Sequence, residues 1–145
     1  MSKTKIYTSA RDQLLVAATT LIMQRGYPNA AVDDVCNRAG VSKGSFYHHF
    51  KNKEDLALNV LQDQVQVVGE ILASGTWQKV QDPVERGLAW VDHVTGKSEE
   101  IWGHGCIVGV LAMDISAFGD ELRKSVLGVF TMLEQKFSPI FEPIA

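Results

Sequence analysis

Apolar residues recur at intervals of three and four along almost the whole sequence, and this spacing is the period of an α-helix rather than a strand. The first clear case is the segment 10–22, which places Ala10, Leu14, Ala17, Ala18, Leu21 and Ile22 on one face. Ser9 just before this segment and Asp12 within it have the spacing of a capping box, and Arg25 and Gly26 after it are typical of a helix end. Since no stretch alternates for long with the period of a strand, the sequence predicts an all-α fold.

Six more helices are predicted in the same way from apolar spacing and end signals. The second and third are short and are separated by only three residues, of which the first is Gly40. The last is expected to end near Phe137, because Pro139 and Pro143 cannot donate a backbone hydrogen bond. The approximate bounds of the six are 32–39, 43–49, 53–73, 83–95, 105–116 and 120–137.

The charge of this 145-residue chain is divided unevenly between its two parts. Residues 1–55 hold eight Lys and Arg against five Asp and Glu, a net charge of +3. Residues 56–145 hold six against twelve, a net charge of −6. A mildly basic head on an acidic body is the distribution expected if the head alone meets phosphate.

The sequence shows no sign of export or of a membrane span. Residues 1–13 are polar and lack the pattern of a signal peptide, and no apolar run reaches the ~18 residues of a membrane helix. Cys36 and Cys106 are far apart and are interpreted as free thiols. We therefore expect a cytoplasmic protein with no membrane partner.

The second and third predicted helices, with their tight glycine-containing turn, form a helix-turn-helix pattern. In this motif the first helix supports the second, which enters the major groove of DNA. Phe46 and Phe50 are expected to anchor the second helix in the core, and Lys53 at the start of the next helix is suited to phosphate. The predicted DNA-binding residues are Lys43, Gly44, Ser45, Tyr47, His48, His49 and Lys53.

The same residues carry a specific resemblance. The segment 40–56, GVSKGSFYHHFKNKEDL, closely resembles the signature of TetR-family transcriptional regulators, and Arg25-Gly-Tyr and Val32-Asp-Asp-Val resemble it as well. The resemblance covers about residues 9–61. It implies a homodimer that binds a pseudo-palindromic operator in double-stranded DNA and acts as a repressor released by a small organic ligand, an electrophile being one option. The alternative is a truncated relative that acts as an interaction module without binding an operator. No catalytic motif is present, so an enzyme is not expected.

The resemblance divides the chain into a helix-turn-helix domain at 1–52 and a helical ligand-binding and dimerisation domain at 53–145. Two departures from the family stand out. Ala30 and Ala31 occupy positions where relatives often carry threonine, which removes a hydroxyl cap from the second helix. The chain also ends after its seventh predicted helix, without the last two helices through which relatives dimerise. We expect either a shortened product or dimerisation through another surface.

The segment 105–116 resembles the Gly-Cys-apolar stretch of one TetR branch that senses small, often reactive compounds. Cys106 is accordingly either a sensor of electrophiles or a small residue that fills a helix interior. An apolar ligand pocket and an ordinary helical core are equally open interpretations of the aromatic residues beyond residue 76. His93, His104, Cys106 and Asp114 lack the spacing of a metal site, so neither metal nor cofactor is expected. The candidate ligand-binding residues are Trp90, His93, Trp102, Cys106, Val110, Met113 and Phe130.

Overall fold

The computed structural model describes residues 9–144, so residues 1–8 of the first predicted domain and residue 145 of the second lie outside it. Within this range the chain forms α-helices and 3₁₀ turns and contains no strand, which confirms the all-α prediction. The 3₁₀ turns are Trp77–Lys79, Ile115–Ala117 and Glu142–Ile144. The helices are α1 (Ala10–Arg25), α2 (Val32–Ala39), α3 (Lys43–His49), α4 (Lys53–Ala73), α5 (Pro83–Gly96), α6 (Ser98–Trp102), α7 (Ile107–Met113) and α8 (Asp120–Phe141).

Side-chain caps fix the starts of several helices where the sequence predicted them. The Ser9 hydroxyl accepts a hydrogen bond from the Asp12 amide at 3.1 Å and begins α1. The Asn52 side chain accepts from the Asp55 amide at 2.8 Å and begins α4. Asp82 begins α5 in the same way, with Pro83 in the first turn. Each cap satisfies a backbone donor that has no partner within the helix.

Three features of the second half differ from the prediction. The five-residue helix α6 was not predicted, and α7 is shorter than the expected helix at 105–116. The predicted end of the last helix near Phe137 is wrong, because α8 continues through Pro139 to Phe141. Phe137 and Phe141 both pack against Trp90, with ring centroids 5.0 and 5.6 Å away. This packing offsets the loss of the one backbone hydrogen bond that Pro139 cannot donate.

One continuous apolar core joins the predicted head to the predicted body. Leu14 of α1 and Phe46 of α3 belong to the same buried cluster as Leu111 of α7 and Leu122 of α8. The α4 helix packs against α1, α7 and α8, and α1 also packs against α7. The division into domains at residue 52 therefore stays a prediction. No helix within the described range is long and apolar enough to cross a membrane.

The start of α2 provides a test of stability. Ala31 holds the N-cap position in an extended conformation (φ −71°, ψ 148°) and provides no side-chain hydrogen bond. Because serine adopts this conformation and caps helices well, Ala31→Ser should raise the free energy of unfolding by about 0.5–2 kcal/mol. Urea denaturation measures the change. Ala31→Val, which adds bulk without an acceptor, is the control, and an equal gain in both variants would contradict the capping argument.

Candidate DNA interface and ligand cavity

The turn between α2 and α3 is held by backbone geometry and one hydroxyl. Gly40 lies in the left-handed region (φ +65°), which favours glycine over residues with a side chain. The Val41 amide donates to the Cys36 carbonyl at 3.0 Å and closes the turn. The Ser42 hydroxyl then accepts from the Ser45 amide at 3.1 Å and begins α3. These contacts set the direction of α3 relative to α2.

The helix α3 has one buried and one exposed face. Phe46 and Phe50 are 0% and 2% exposed and fix the helix to the core. The Tyr47 ring meets the Phe46 ring edge-on at 5.0 Å, yet Tyr47 remains 55% exposed. Six of the seven predicted DNA-binding residues thus lie together on α3: Lys43, Gly44, Tyr47 and His48 are exposed, whereas Ser45 and His49 are half-buried.

Lys43 is paired with an acid of the preceding helix. Its Nζ lies 2.8 Å from Oδ1 of Asp33, and both side chains are exposed. The hydrogen bond to Asp33, together with its charge, raises the pKa of Lys43. The pair orients the lysine at the start of α3 and leaves it charged. Because an exposed pair is weakly held, DNA phosphate can compete with Asp33 for the ammonium.

Lys53 occupies a different environment from the other predicted contacts. Its Nζ donates to the Pro28 carbonyl at 3.2 Å and lies 4.4 Å from the centroid of the Tyr27 ring. Burial lowers the pKa of Lys53. The side chain therefore braces the turn after α1, and its phosphate contact stays a prediction. Lys51, which the sequence analysis did not single out, lies just after α3 with an exposed side chain.

A set of polar and aromatic contacts, here called the joint, connects the head to the helices of the body. The Tyr27 amide, in the turn after α1, donates to Oδ2 of Asp114 at the end of α7 at 2.9 Å. The Tyr27 ring also meets the Phe118 ring edge-on at 4.8 Å. Burial, and then the nearby Glu54 carboxylate, raises the pKa of Tyr27. The end of α7 is thus held directly against the turn that follows α1.

The second part of the joint is at the start of α8. Gly119 is the N-cap residue of α8 and has no side chain to satisfy the first amides. Glu54, in the first turn of α4, provides the missing acceptor: its Oε1 accepts from the Leu122 amide at 3.5 Å, and its Oε2 accepts from the Gly119 amide at 3.1 Å. The contacts of Glu54 and Phe118 in the joint were not predicted, since contacts between residues more than 60 positions apart leave no local pattern.

A cavity of about 150 Å³ lies between α4, α7 and α8, beside α6. Its wall is mainly apolar and includes Trp102, Cys106 and Phe130, three of the seven predicted ligand-binding residues. The complete lining is Gln64, Val65, Val68, Gly69, Leu72, Ile101, Trp102, Gly105, Cys106, Ile107, Val108, Val129, Phe130, Met132, Leu133, Lys136 and Phe137.

The other four predicted ligand-binding residues lie outside this wall. Trp90 packs on Phe137 and Phe141, and its buried indole N–H has no hydrogen-bond partner. His93 Nε2 lies 2.8 Å from the Ile71 carbonyl, which ties α5 to the end of α4. Val110 packs against the core, whereas Met113 is 86% exposed. Apolar character alone could not distinguish these positions from the cavity wall.

Cys106 is exposed and stands at the start of α7, where its Sγ accepts from the Gly109 amide at 3.4 Å. Cys36 is buried, and burial raises the pKa of its thiol. His104 lines another space, a more open groove of about 400 Å³ along α1. Within residues 9–144 there is no group of three or more His, Cys, Asp or Glu residues that could hold a metal ion.

The groove and the cavity share a wall. Gln64 lines both, and the turn 104–106 places His104 on the groove and Cys106 on the cavity. Gly105 in this turn has φ +92° and lies against the end of the Met23 side chain of α1. The cavity wall is therefore in close contact with the first helix of the head.

Comparison with known proteins identifies relatives of both parts of the chain. Residues 14–60 match the family described as "Bacterial regulatory proteins, tetR family". The HTH-type transcriptional repressor DhaR of Mycobacterium sp. (strain GP1) is 31% identical over 130 residues, which are 90% of this chain and 64% of DhaR. The chain spans 61% to 67% of the length of this and two other curated relatives.

Solved structures extend the similarity in fold to most of the chain. The regulatory protein TetR from Rhodobacter sphaeroides has a TM-score of 0.74 and 26% identity, over 91% of this chain and 70% of that one. AibR, solved in complex with isovaleryl coenzyme A and operator DNA, has a TM-score of 0.74 over 94% of this chain and 72% of that one. At 21% identity, AibR supports the fold alone.

The joint makes a prediction about stability. Asp114→Ala leaves the part-buried Tyr27 amide without its acceptor, which should lower the free energy of unfolding by about 1–3 kcal/mol. Glu134→Ala, an exposed change on α8, is the control and should stay within about 0.5 kcal/mol of the wild type. Denaturant titration of both variants provides the measurement. Equal stability of the two variants would show that the bond between Asp114 and Tyr27 does not hold the joint.

Proposed function

Because the chain belongs to the TetR family of helix-turn-helix transcriptional regulators, we propose that it is a repressor that binds operator DNA through α3 and is released by a small organic ligand in the cavity. Members of this family regulate transcription and are not enzymes, and the same holds for this chain. The observation that carries the proposal is the exposed polar face of α3, held rigidly by Phe46 and Phe50.

The geometry of α3 fits the major groove. Residues near the start of a recognition helix reach base edges, and here Lys43, Gly44 and Ser45 occupy the first turn. Tyr47 and His48 on the exposed side provide donors for bases or phosphates. A single recognition helix reads one half-site, so we propose that a homodimer binds a pseudo-palindromic operator, with half-sites about 34 Å apart or a multiple of this.

The names of two similar proteins agree with this proposal. DhaR is named a transcriptional repressor, and the AibR structure contains both an acyl coenzyme A and operator DNA. A protein of this fold can therefore hold a small organic molecule and DNA. For the present chain, the apolar cavity is where we place the ligand, and repression is the direction of control that we propose.

The joint provides the physical connection that release requires. The cavity is bounded by α7 and α8, and the joint fixes the end of α7 to Tyr27 and the start of α8 to Glu54. Glu54 lies in the first turn of α4, which directly follows α3. A ligand that favours a different spacing of α7 and α8 must therefore move the head as well. A coupling free energy of about 1–3 kcal/mol is sufficient to change DNA affinity by one to two orders of magnitude.

Tyr47 provides the most direct test of the DNA interface. Its exposed phenol lies on α3, so Tyr47→Ala should weaken operator binding by about 1–3 kcal/mol while leaving the core intact. Fluorescence anisotropy on labelled DNA from just upstream of the gene measures the affinity. Thr131→Ala, an exposed change on α8, is the matched control, and unrelated DNA is the second. Unchanged binding by the Tyr47 variant would contradict the assignment of α3.

We consider two roles for Lys53, a contact with DNA phosphate and support of the turn after α1, and the salt dependence of DNA binding distinguishes them. If its ammonium leaves the Pro28 carbonyl to bind phosphate, Lys53→Ala should weaken binding to all sequences alike and lower the slope of log K against log salt by about one. This is the result we expect. An unchanged slope accompanied by lower stability would restrict Lys53 to bracing the turn after α1.

A further inference from the structure

We propose that the cavity binds a small organic anion, with an apolar body about the size of a benzene ring and a negatively charged group paired with Lys136. The effect of this anion on DNA rests on the proposed function, but its binding does not. Three properties of the cavity support the proposal, namely its volume, the charge of its wall and the neutral hydrogen-bond donors in that wall.

The volume limits the body of the ligand. The cavity encloses about 150 Å³, and its wall includes Val65, Leu72, Val129, Leu133 and Phe137. An engineered cavity of about this volume, lined by similar residues in another protein, stays dry and binds benzene. The present cavity therefore holds an apolar body of about six carbon atoms, and a larger ligand would have to extend through its opening.

The positive charge of the cavity wall favours a negatively charged ligand. Lys136 on α8 is the one lysine or arginine among the 17 lining residues, and none of them is Asp or Glu. The ion pairs formed within residues 9–144 involve other basic residues, so no carboxylate there neutralises Lys136 at ion-pair distance. The Lys136 side chain is exposed, so its ammonium lies at the opening of the cavity, where it can pair with the charged group of a ligand whose apolar body is inside. An ammonium ligand would meet a like charge at Lys136 and no carboxylate in the wall.

Neutral donors complete the recognition of an oxyanion. Gln64 on α4 has an amide that can donate to an oxygen, and Trp102 at the end of α6 has an indole N–H. These groups and Lys136 come from three helices, α4, α6 and α8. A carboxylate that pairs with Lys136 and reaches one of these donors would connect α8 to α4 or to α6.

The test uses three probes of one shape and three charges. Benzoate, benzamide and benzylammonium are titrated into the full chain at neutral pH by isothermal calorimetry. Because an ion pair with an exposed lysine is weakly held, benzoate should bind about two- to fivefold more tightly than benzamide. Benzylammonium should bind more weakly than both.

Three variants assign this preference to the cavity. Lys136→Met keeps the side-chain stem and removes the charge, so benzoate should lose its advantage over benzamide. Lys124→Met makes the same change on the same helix outside the cavity and should leave the advantage intact. Gly69→Leu fills the cavity from α4, where a Cβ would meet no atom within 4 Å, and should abolish binding of all three probes. Leucine also favours the helix over glycine, so this variant should remain folded, as thermal denaturation will show.

Several results would overturn the proposal. The first two are equal binding of benzoate and benzamide, and stronger binding of benzylammonium than of benzoate. The third is benzoate binding that survives Gly69→Leu. The fourth is no binding of any probe up to about 10 mM, which corresponds to a binding free energy weaker than about 3 kcal/mol. Operator binding is measured by anisotropy without any probe. A protein that binds its operator but fails these titrations would retain the proposed role in repression and lose the anionic ligand.

Discussion

The burial of Phe46 and Phe50 is the interaction on which the rest of the structure depends. The helix α3 has only seven residues, and a helix of this length is not stable by itself in water. The two rings occupy the core formed with Leu14 of α1 and Leu56 of α4, and they hold α3 with its polar side outward. The same packing fixes where α4 begins, since Asn52 caps α4 two residues after Phe50. Where α4 begins in turn sets the position of the body's helices relative to α3.

The start of α4 is also where direct contacts connect the two halves of the chain. Glu54 caps α8 across the fold, and Lys53 next to it contacts the turn after α1. Asp114 fixes the end of α7 to the same turn through the Tyr27 amide. The cavity therefore lies between helices whose ends are attached to the head. This arrangement gives a physical route from an occupied cavity to α3, through hydrogen bonds between side chains and backbone and one aromatic contact.

Local physical rules predicted most of the fold and one face of the candidate site. Caps such as Ser9, Asn52 and Asp82 act within three residues, so the sequence displays them directly. The exposed side of α3 follows from the spacing of Phe46 and Phe50. The end of α8 was not predictable in this way, because contacts of Phe137 and Phe141 with Trp90 override Pro139. The joint and the cavity wall depend on which distant helices meet, and neither has a local signature.

The most direct test of the account is a hydroxyl-radical footprint on the DNA upstream of the gene. If two copies of α3 read two half-sites, the footprint will show two protected segments related by symmetry, about 10 base pairs apart or a multiple of this. Protection should disappear with the Tyr47→Ala variant, in which the core contacts of α3 remain. A single protected segment, or protection that is the same on unrelated DNA, would contradict sequence-specific binding by paired α3 helices.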